Sequence, residues 1–163
     1  MVKTSNRLLT LDHEEAPWFR PEGKGTFMSS PAVKESAEAR IDGGARQIVI
    51  DLEACTGMDS TFMGMLAGLA KVLKKVGGSL EIVGTSDKNR HSLEELGLNA
   101  MMEISEDRPD HAEIRKGYVL VSGEQAPGKE DHILECHENL CDADERNEKT
   151  FKSVLEVLRN KSS

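Results

Sequence analysis

Gln47-Ile-Val-Ile-Asp-Leu52 is apolar and β-branched almost throughout, as befits a strand buried on both faces. Thr56-Gly57-Met58 turns the chain into a helix from about Ser60 to Val76, and Gly77-Gly78 closes it. Leu80-Glu-Ile-Val83 then supplies a second apolar strand. A strand, a helix and a strand on short links predict a parallel sheet with helices packed against it. The flanking residues extend the pattern. Leu8–Leu11 and Trp18-Phe19 are candidate strands. Ser30-Pro31 starts a helix with the hydroxyl at the N-cap, Val33, Ala37 and Ile41 recur every four residues, and Gly43-Gly44 stops it. Ser86-Asp87 caps a short helix that ends at Gly97, and Met101–Ile104 reads as a last short strand. The expected class is α/β, with a largely parallel sheet of about four or five strands.

At 100° per residue, Phe62, Met65, Leu66, Leu69, Val72, Leu73 and Val76 fall in one arc of the central helix, with Ala70 at its edge. That arc faces the sheet. The opposite arc holds Met63, Gly64, Ala67, Gly68, Lys71, Lys74 and Lys75, a face of low relief. Two readings fit it. The small residues form a docking surface for another protein, or they let another element of the same chain pack closely.

Charge and cysteine content narrow the function classes. The 163 residues carry 21 Lys+Arg against 29 Asp+Glu, a net charge of −8, the wrong sign for gripping a phosphate backbone or an anionic membrane. Aromatic residues make up only 4%, too few for a base-stacking surface. No nucleic-acid or membrane partner is expected. Cys55, Cys136 and Cys141 are an odd set that reads as reduced thiols, and no apolar run suits a signal peptide or a membrane span. A soluble, cytoplasmic protein is expected.

Residues 1–100 hold 14 acids and 12 bases, whereas residues 101–163 hold 15 and 9. A core module over residues 5–105 followed by an acidic, mostly helical extension over 106–163 is therefore expected. Within the extension, Tyr118–Val121 reads as a strand, Gln125–Gly128 as a turn and Glu130–Asn160 as helical. Phe151, Val154, Leu155 and Leu158 form one apolar stripe, while Asp142–Thr150 is almost all polar, a loop between two helices or the exposed section of one. The stripe packs on its own sheet or on a second copy, so a homodimer through the C-terminal helix is one possibility.

Asp59 and Ser60 stand at the start of the central helix, where backbone N–H groups lack internal partners. The plain reading is an N-cap. The sharper one is a regulated hydroxyl. A phosphate there would bring about −1.5 to −2 charges to the positive end of the helix dipole. It would leave the helix intact and act on whatever docks there, with Asp51, Glu53 and Asp59 expected nearby.

Ile48-Val-Ile-Asp-Leu-Glu-Ala-Cys-Thr-Gly-Met-Asp-Ser-Thr-Phe-Met-Gly-Met-Leu66, with Lys74-Lys-Val-Gly-Gly-Ser-Leu-Glu-Ile-Val83 and Leu93-Glu-Glu-Leu-Gly-Leu98, resembles the STAS domain over roughly residues 5–105. The name covers sulfate transporters and anti-sigma factor antagonists. The resemblance implies a small sheet with helices on one side and an anti-sigma factor antagonist. It further implies docking to a serine-kinase anti-sigma factor, a switch by phosphorylation of the serine after the aspartate, and a serine phosphatase that resets it. That serine maps to Ser60, with Thr61 as second choice. The implied contact set is Asp59, Ser60, Thr61, Met63, Gly64 and Ala67. Phe62 stands where the family has a small residue, and the helical wheel turns it inward. An extension beyond Ser105 is the second departure.

Other constellations carry less. On a helix, His132 and Cys136 share one face and His137 and Cys141 another, so four ligands on one metal would need a loop. No G-x-S-x-G elbow surrounds Ser60, and Gly23-Lys-Gly25 and Gly43-Gly44 lack phosphate-loop spacing. Neither catalysis, nor a metal, nor any other cofactor is expected. The second reading of the whole chain is a STAS scaffold that is never phosphorylated and oligomerises or assembles a signalling complex.

Overall fold

The computed structural model of the protein describes residues 6–121 and 129–162. The turn expected over Gln125–Gly128 lies outside them. Strand β1 (Arg7–Asp12) forms a hairpin with β2 (Pro17–Gly25), and α1 (Ser30–Asp42) leads to the central strand β3 (Gln47–Asp51). After β4 (Cys55–Met58) come α2 (Ser60–Lys75), β5 (Ser79–Val83), α3 (Asp87–Glu95) and β6 (Glu103–Ile104). The remainder comprises α4 (His111–Ile114), β7 (Val119–Leu120), α5 (Glu130–Ala143), α6 (Arg146–Thr150) and α7 (Lys152–Ser162). The described sheet runs β6-β5-β3-β2-β1-β7, with β4 paired to β2 beyond that path. Its centre is parallel and β1 is antiparallel to both of its neighbours. The sheet has more strands than the expected four or five, because β4, read from the sequence as a turn, is too short to show a periodicity and because β7, read as a strand of the extension, joins the same sheet.

Side-chain alternation divides the strands between two faces. Leu8, Phe19, Ile48, Ile50, Leu80 and Ile82 point to the helices, where Val33, Ala37, Ile41, Leu66, Leu69 and Leu73 meet them in one core. Leu11, Trp18, Val49 and Val83 point the other way and are covered by Ile114 and Tyr118. The stretch expected as one extension is thus divided in space. Residues 111–120 pack on the sheet, β7 pairing with β1, while α5, α6 and α7 stack on the helical side.

The stop of α2 follows from Gly77, whose φ of +78° favours a residue without Cβ. It lets the Gly78 N–H return to the Leu73 carbonyl at 2.7 Å. At the start of α1 the Ser30 hydroxyl does not cap the helix as expected. It is fully buried and bonds His132 Nε2 at 2.7 Å. The polar middle of the extension resolves into a break at Asp144-Glu145 and the short α6. Asn147, 3% exposed, donates to the carbonyls of Leu96 and Leu140 and so ties that break to the sheet module. Phe151, Leu155 and Leu158 of the apolar stripe turn inward, whereas Val154 is exposed.

Candidate functional site

Helix α2 begins where its sequence says it should. Asp59 is extended (φ −90°, ψ 173°) and its carboxylate accepts from the Phe62 N–H at 2.8 Å, an N-cap that supplies one of the missing partners of the first turn. The other carboxylate oxygen accepts from the Phe27 N–H at 2.9 Å, and the Asp59 N–H donates to the Gly25 carbonyl. One side chain therefore joins the helix start to the loop between β2 and α1. Phe62 is fully buried, as the wheel predicted. Its ring fits because Gly25 opposes it, and a Cβ at Gly25 would stand 2.8 Å from Phe62 Cδ1.

Ser60 is the first residue of α2 and is partly exposed. Its Oγ lies 2.9 Å from His137 Nε2 of α5. His137 Nδ1 stands 2.8 Å from the Ile133 carbonyl, which can only accept, so Nδ1 donates there and Nε2 is the ring nitrogen that faces the Ser60 hydroxyl. Phe151 packs edge-on against the same imidazole with ring centroids 5.1 Å apart. Thr61, the second hydroxyl, is 5% exposed.

The low-relief arc of α2 is not open to solvent as a free surface would be. Met63 is 8% exposed and Ala67 fully buried, so neither stands free on the arc opposite the sheet. Helix α5 covers them. A Cβ added at Gly64 would lie 2.5 Å from the Cys136 carbonyl carbon, and one at Gly68 would meet the Asn139 amide. The second of the two sequence readings, close packing by another element of the same chain, describes this geometry. Lys71 of that arc pairs with Asp142 at 2.6 Å, and Lys34 of α1 with Glu135 at 3.1 Å.

The expected negative cluster around Ser60 is corrected. Asp51 and Glu53 belong to a separate group, where Arg20 and Arg115 meet their charge. Sequence reasoning missed Phe27 and Met28. These exposed apolar side chains, at 40% and 53%, sit beside Asp59 in the loop that its carboxylate holds. The only hint of them was their place between a strand and Ser30-Pro31.

His132 of α5 faces α1. His132 Nε2 lies 2.7 Å from Ser30 Oγ and 3.5 Å from Cys136 Sγ. Burial and the Lys34 ammonium hold its pKa below the usual 6.5, against opposing pulls from Glu135 and Glu35. The unfolded chain therefore takes up this proton first as pH falls. Stability from neutral His132 is complete above about pH 6.5 and declines through the lower, folded pKa. Urea midpoints measured from pH 7.5 down to 5 are expected to fall, with a smaller slope in His132→Asn. Equal slopes would remove His132 from the attachment of α5.

With this geometry established, three comparisons bear on it. The family model described as STAS domain matches residues 9–111, ending ahead of α5. A Staphylococcus aureus protein named anti-sigma-B factor antagonist is 33% identical over 76 residues, which are 47% of this chain and 70% of that one. The Bacillus subtilis protein of the same name is 32% identical over 83 residues, 51% of this chain and 75% of its own. Among solved structures, an anti-sigma factor antagonist from Mycobacterium paratuberculosis matches with a TM-score of 0.58 at 22% identity, covering 70% of this chain and 96% of that one. The anti-sigma factor antagonist SpoIIAA in its unphosphorylated form matches at 0.56 and 20%, covering 69% and 96%. At these identities the two structures bear on the fold alone.

Proposed function

The chain belongs to the STAS domain family as a member of the anti-sigma factor antagonist type, and from that premise we propose that it docks a serine-kinase anti-sigma factor and is switched by phosphorylation of Ser60. The observation that carries this reading is the Asp59–Ser60 junction. A hydroxyl stands at the first residue of α2, next to the exposed Phe27-Met28 pair and within the positive field of a 16-residue helix. A phosphate at Ser60 would meet that field favourably, so the helix survives. The added charge would instead fall against the Asp59 carboxylate and whatever protein docks over it. Asp59, Ser60, Thr61, Met63, Gly64 and Ala67 would make the contact, and a serine phosphatase would reset it. The protein acts in this reading by binding.

The test uses each serine-kinase anti-sigma factor of the source organism, purified, with Mg²⁺-ATP. Phosphate is expected on Ser60 alone, because Thr61 is buried. Ser60→Ala is expected to take up none, and Ser60→Asp to bind the kinase roughly tenfold more weakly or worse. Absence of both phosphate and binding with every kinase defeats the proposal. A second reading, the unphosphorylated scaffold, is favoured by the exposed Val154 and Val157 of α7. It would show itself as a dimer in sedimentation that Val157→Glu dissolves.

A further inference from the structure

The surface assigned to the kinase already has an occupant. Helix α5 lies along α2 over Met63, Gly64 and Ala67, and His137 holds the Ser60 hydroxyl. Cys136, His137 and Leu140 of α5 are 1%, 4% and 0% exposed, and α7, whose Leu155 and Leu158 are buried, packs on α5. The fit is close because Gly64 lets the two helix backbones approach, and Asn139 donates to the Gly64 carbonyl at 3.4 Å. A protein partner cannot touch Gly64 or Ala67 while α5 is in place.

Resting on the docking reading above, we propose that α5, backed by α7, is a built-in competitor for the partner-docking face of α2, so that a kinase engages Ser60 only in molecules whose α5 has lifted. Several features suit a contact that is made and broken. The seam combines small residues, one thiol, one amide and a serine–histidine bond with ion pairs at its rim. Both rim pairs, Lys34–Glu135 and Lys71–Asp142, are solvent-accessible and contribute little each. Phe19, Ile48, Ile50, Leu66, Leu69 and Leu80 of the sheet module form most of a core to which α5 adds Cys136 and Leu140. The apparent affinity for the kinase is then the intrinsic affinity reduced by the fraction of molecules in the lifted state. Anything that raises this fraction, in α5 or α7 and far from Ser60, strengthens docking.

Two variants of the full chain test this. A Cβ at residue 68 lies 3.4 Å from Asn139 Cγ, where the sulfur of a cysteine at 139 would stand, close to the roughly 3 Å across a disulfide. Gly68→Cys with Asn139→Cys therefore locks α5 on α2 under oxidation and frees it on reduction. Leu140→Asp places a charge at a fully buried position of α5 and releases the helix without altering α2. Reactivity of the Cys136 thiol, 1% exposed in the closed chain, reports release without any kinase. With the purified serine-kinase anti-sigma factors and Mg²⁺-ATP, the oxidised pair is expected to bind and be phosphorylated about tenfold less than its reduced form. Leu140→Asp, its Cys136 reactive, is expected to gain about tenfold over the unaltered chain. Equal binding by the oxidised and reduced forms overturns the competition and leaves the docking reading standing. Absence of binding even by Leu140→Asp with reactive Cys136 removes both together.

Discussion

Replacing Asp51 with alanine is expected to cost about 3–5 kcal/mol of folding stability, the loss usual when one partner of a buried ion pair is removed. Asp51 ends β3 and is fully buried. Its carboxylate accepts from Arg115 Nε at 2.9 Å and Nη2 at 3.2 Å, from Arg20 Nη1 at 3.2 Å, from the Tyr118 hydroxyl at 2.9 Å and from the Glu53 N–H at 3.1 Å. Alanine would take the buried acceptor from the Tyr118 hydroxyl, the Glu53 N–H and two guanidinium groups whose side chains are 16% and 11% exposed, leaving Glu53 and Asp107 to face the arginines. The charge states record this coupling. Burial pulls the Arg115 pKa down, but its bonds to Asp107 and Asp51 prevail and raise it. Burial, with the Asp51 carboxylate, raises the Tyr118 hydroxyl above its ordinary range. The cluster also decides topology, because Arg115 and Tyr118 carry the segment that β7 ends onto the sheet. Urea denaturation of Asp51→Ala measures the loss. A double-mutant cycle with Arg115→Ala separates the pair from the cavity. A loss below about 1 kcal/mol would mean that these bonds merely decorate the sheet edge.

Gly64→Ala should detach α5 while the sheet module remains folded. Alanine is the better helix former by about 1 kcal/mol, so α2 itself gains. The added Cβ would stand 2.5 Å from a backbone carbonyl carbon of α5 and 2.8 Å from Cys136 Cβ. No rotamer change moves a backbone atom, so the two helices must separate along the seam. Cys136 is the reporter. In the closed chain its thiol is buried, and burial followed by the Glu135 carboxylate pushes its pKa up to about 12. Release restores both exposure and acidity, so its reaction with a disulfide reagent is expected to quicken on the order of a hundredfold. Gly68→Ala provides the contrast, since its Cβ meets the Asn139 amide, a side chain that can swing away. A Gly64→Ala chain whose Cys136 stays as slow as before would show that the helix seam has slack.

The strands and helices were legible because their signals are local. Val33, Ala37 and Ile41 point inward as their spacing requires, Phe62 is buried as its wheel position requires, and Asp59 caps α2 as its side chain allows. Family membership was legible for the same reason, residing in contiguous runs from Ile48 to Leu98. Val72 and Val76, on the same arc as Leu69 and Leu73, are nevertheless 38% and 41% exposed, the first because it stands at the edge of that arc and the second because it is the C-cap residue beyond the last turn. Periodicity says which side chains share a face. It does not say what covers that face. Gly64, Ala67 and Gly68 suited a docking surface and an internal seam equally well, since both demand small residues. The choice fell to α5, whose nearest contact with Gly64 is through Cys136, a residue of the distant C-terminal stretch. The Asp51 cluster has the same origin, joining residues 31, 64 and 67 positions apart. Local sequence sets backbone preference and the side on which apolar groups gather. Pairing between remote segments depends on shape and charge complementarity across the folded chain, and for Ser60 that pairing placed His137 against its hydroxyl.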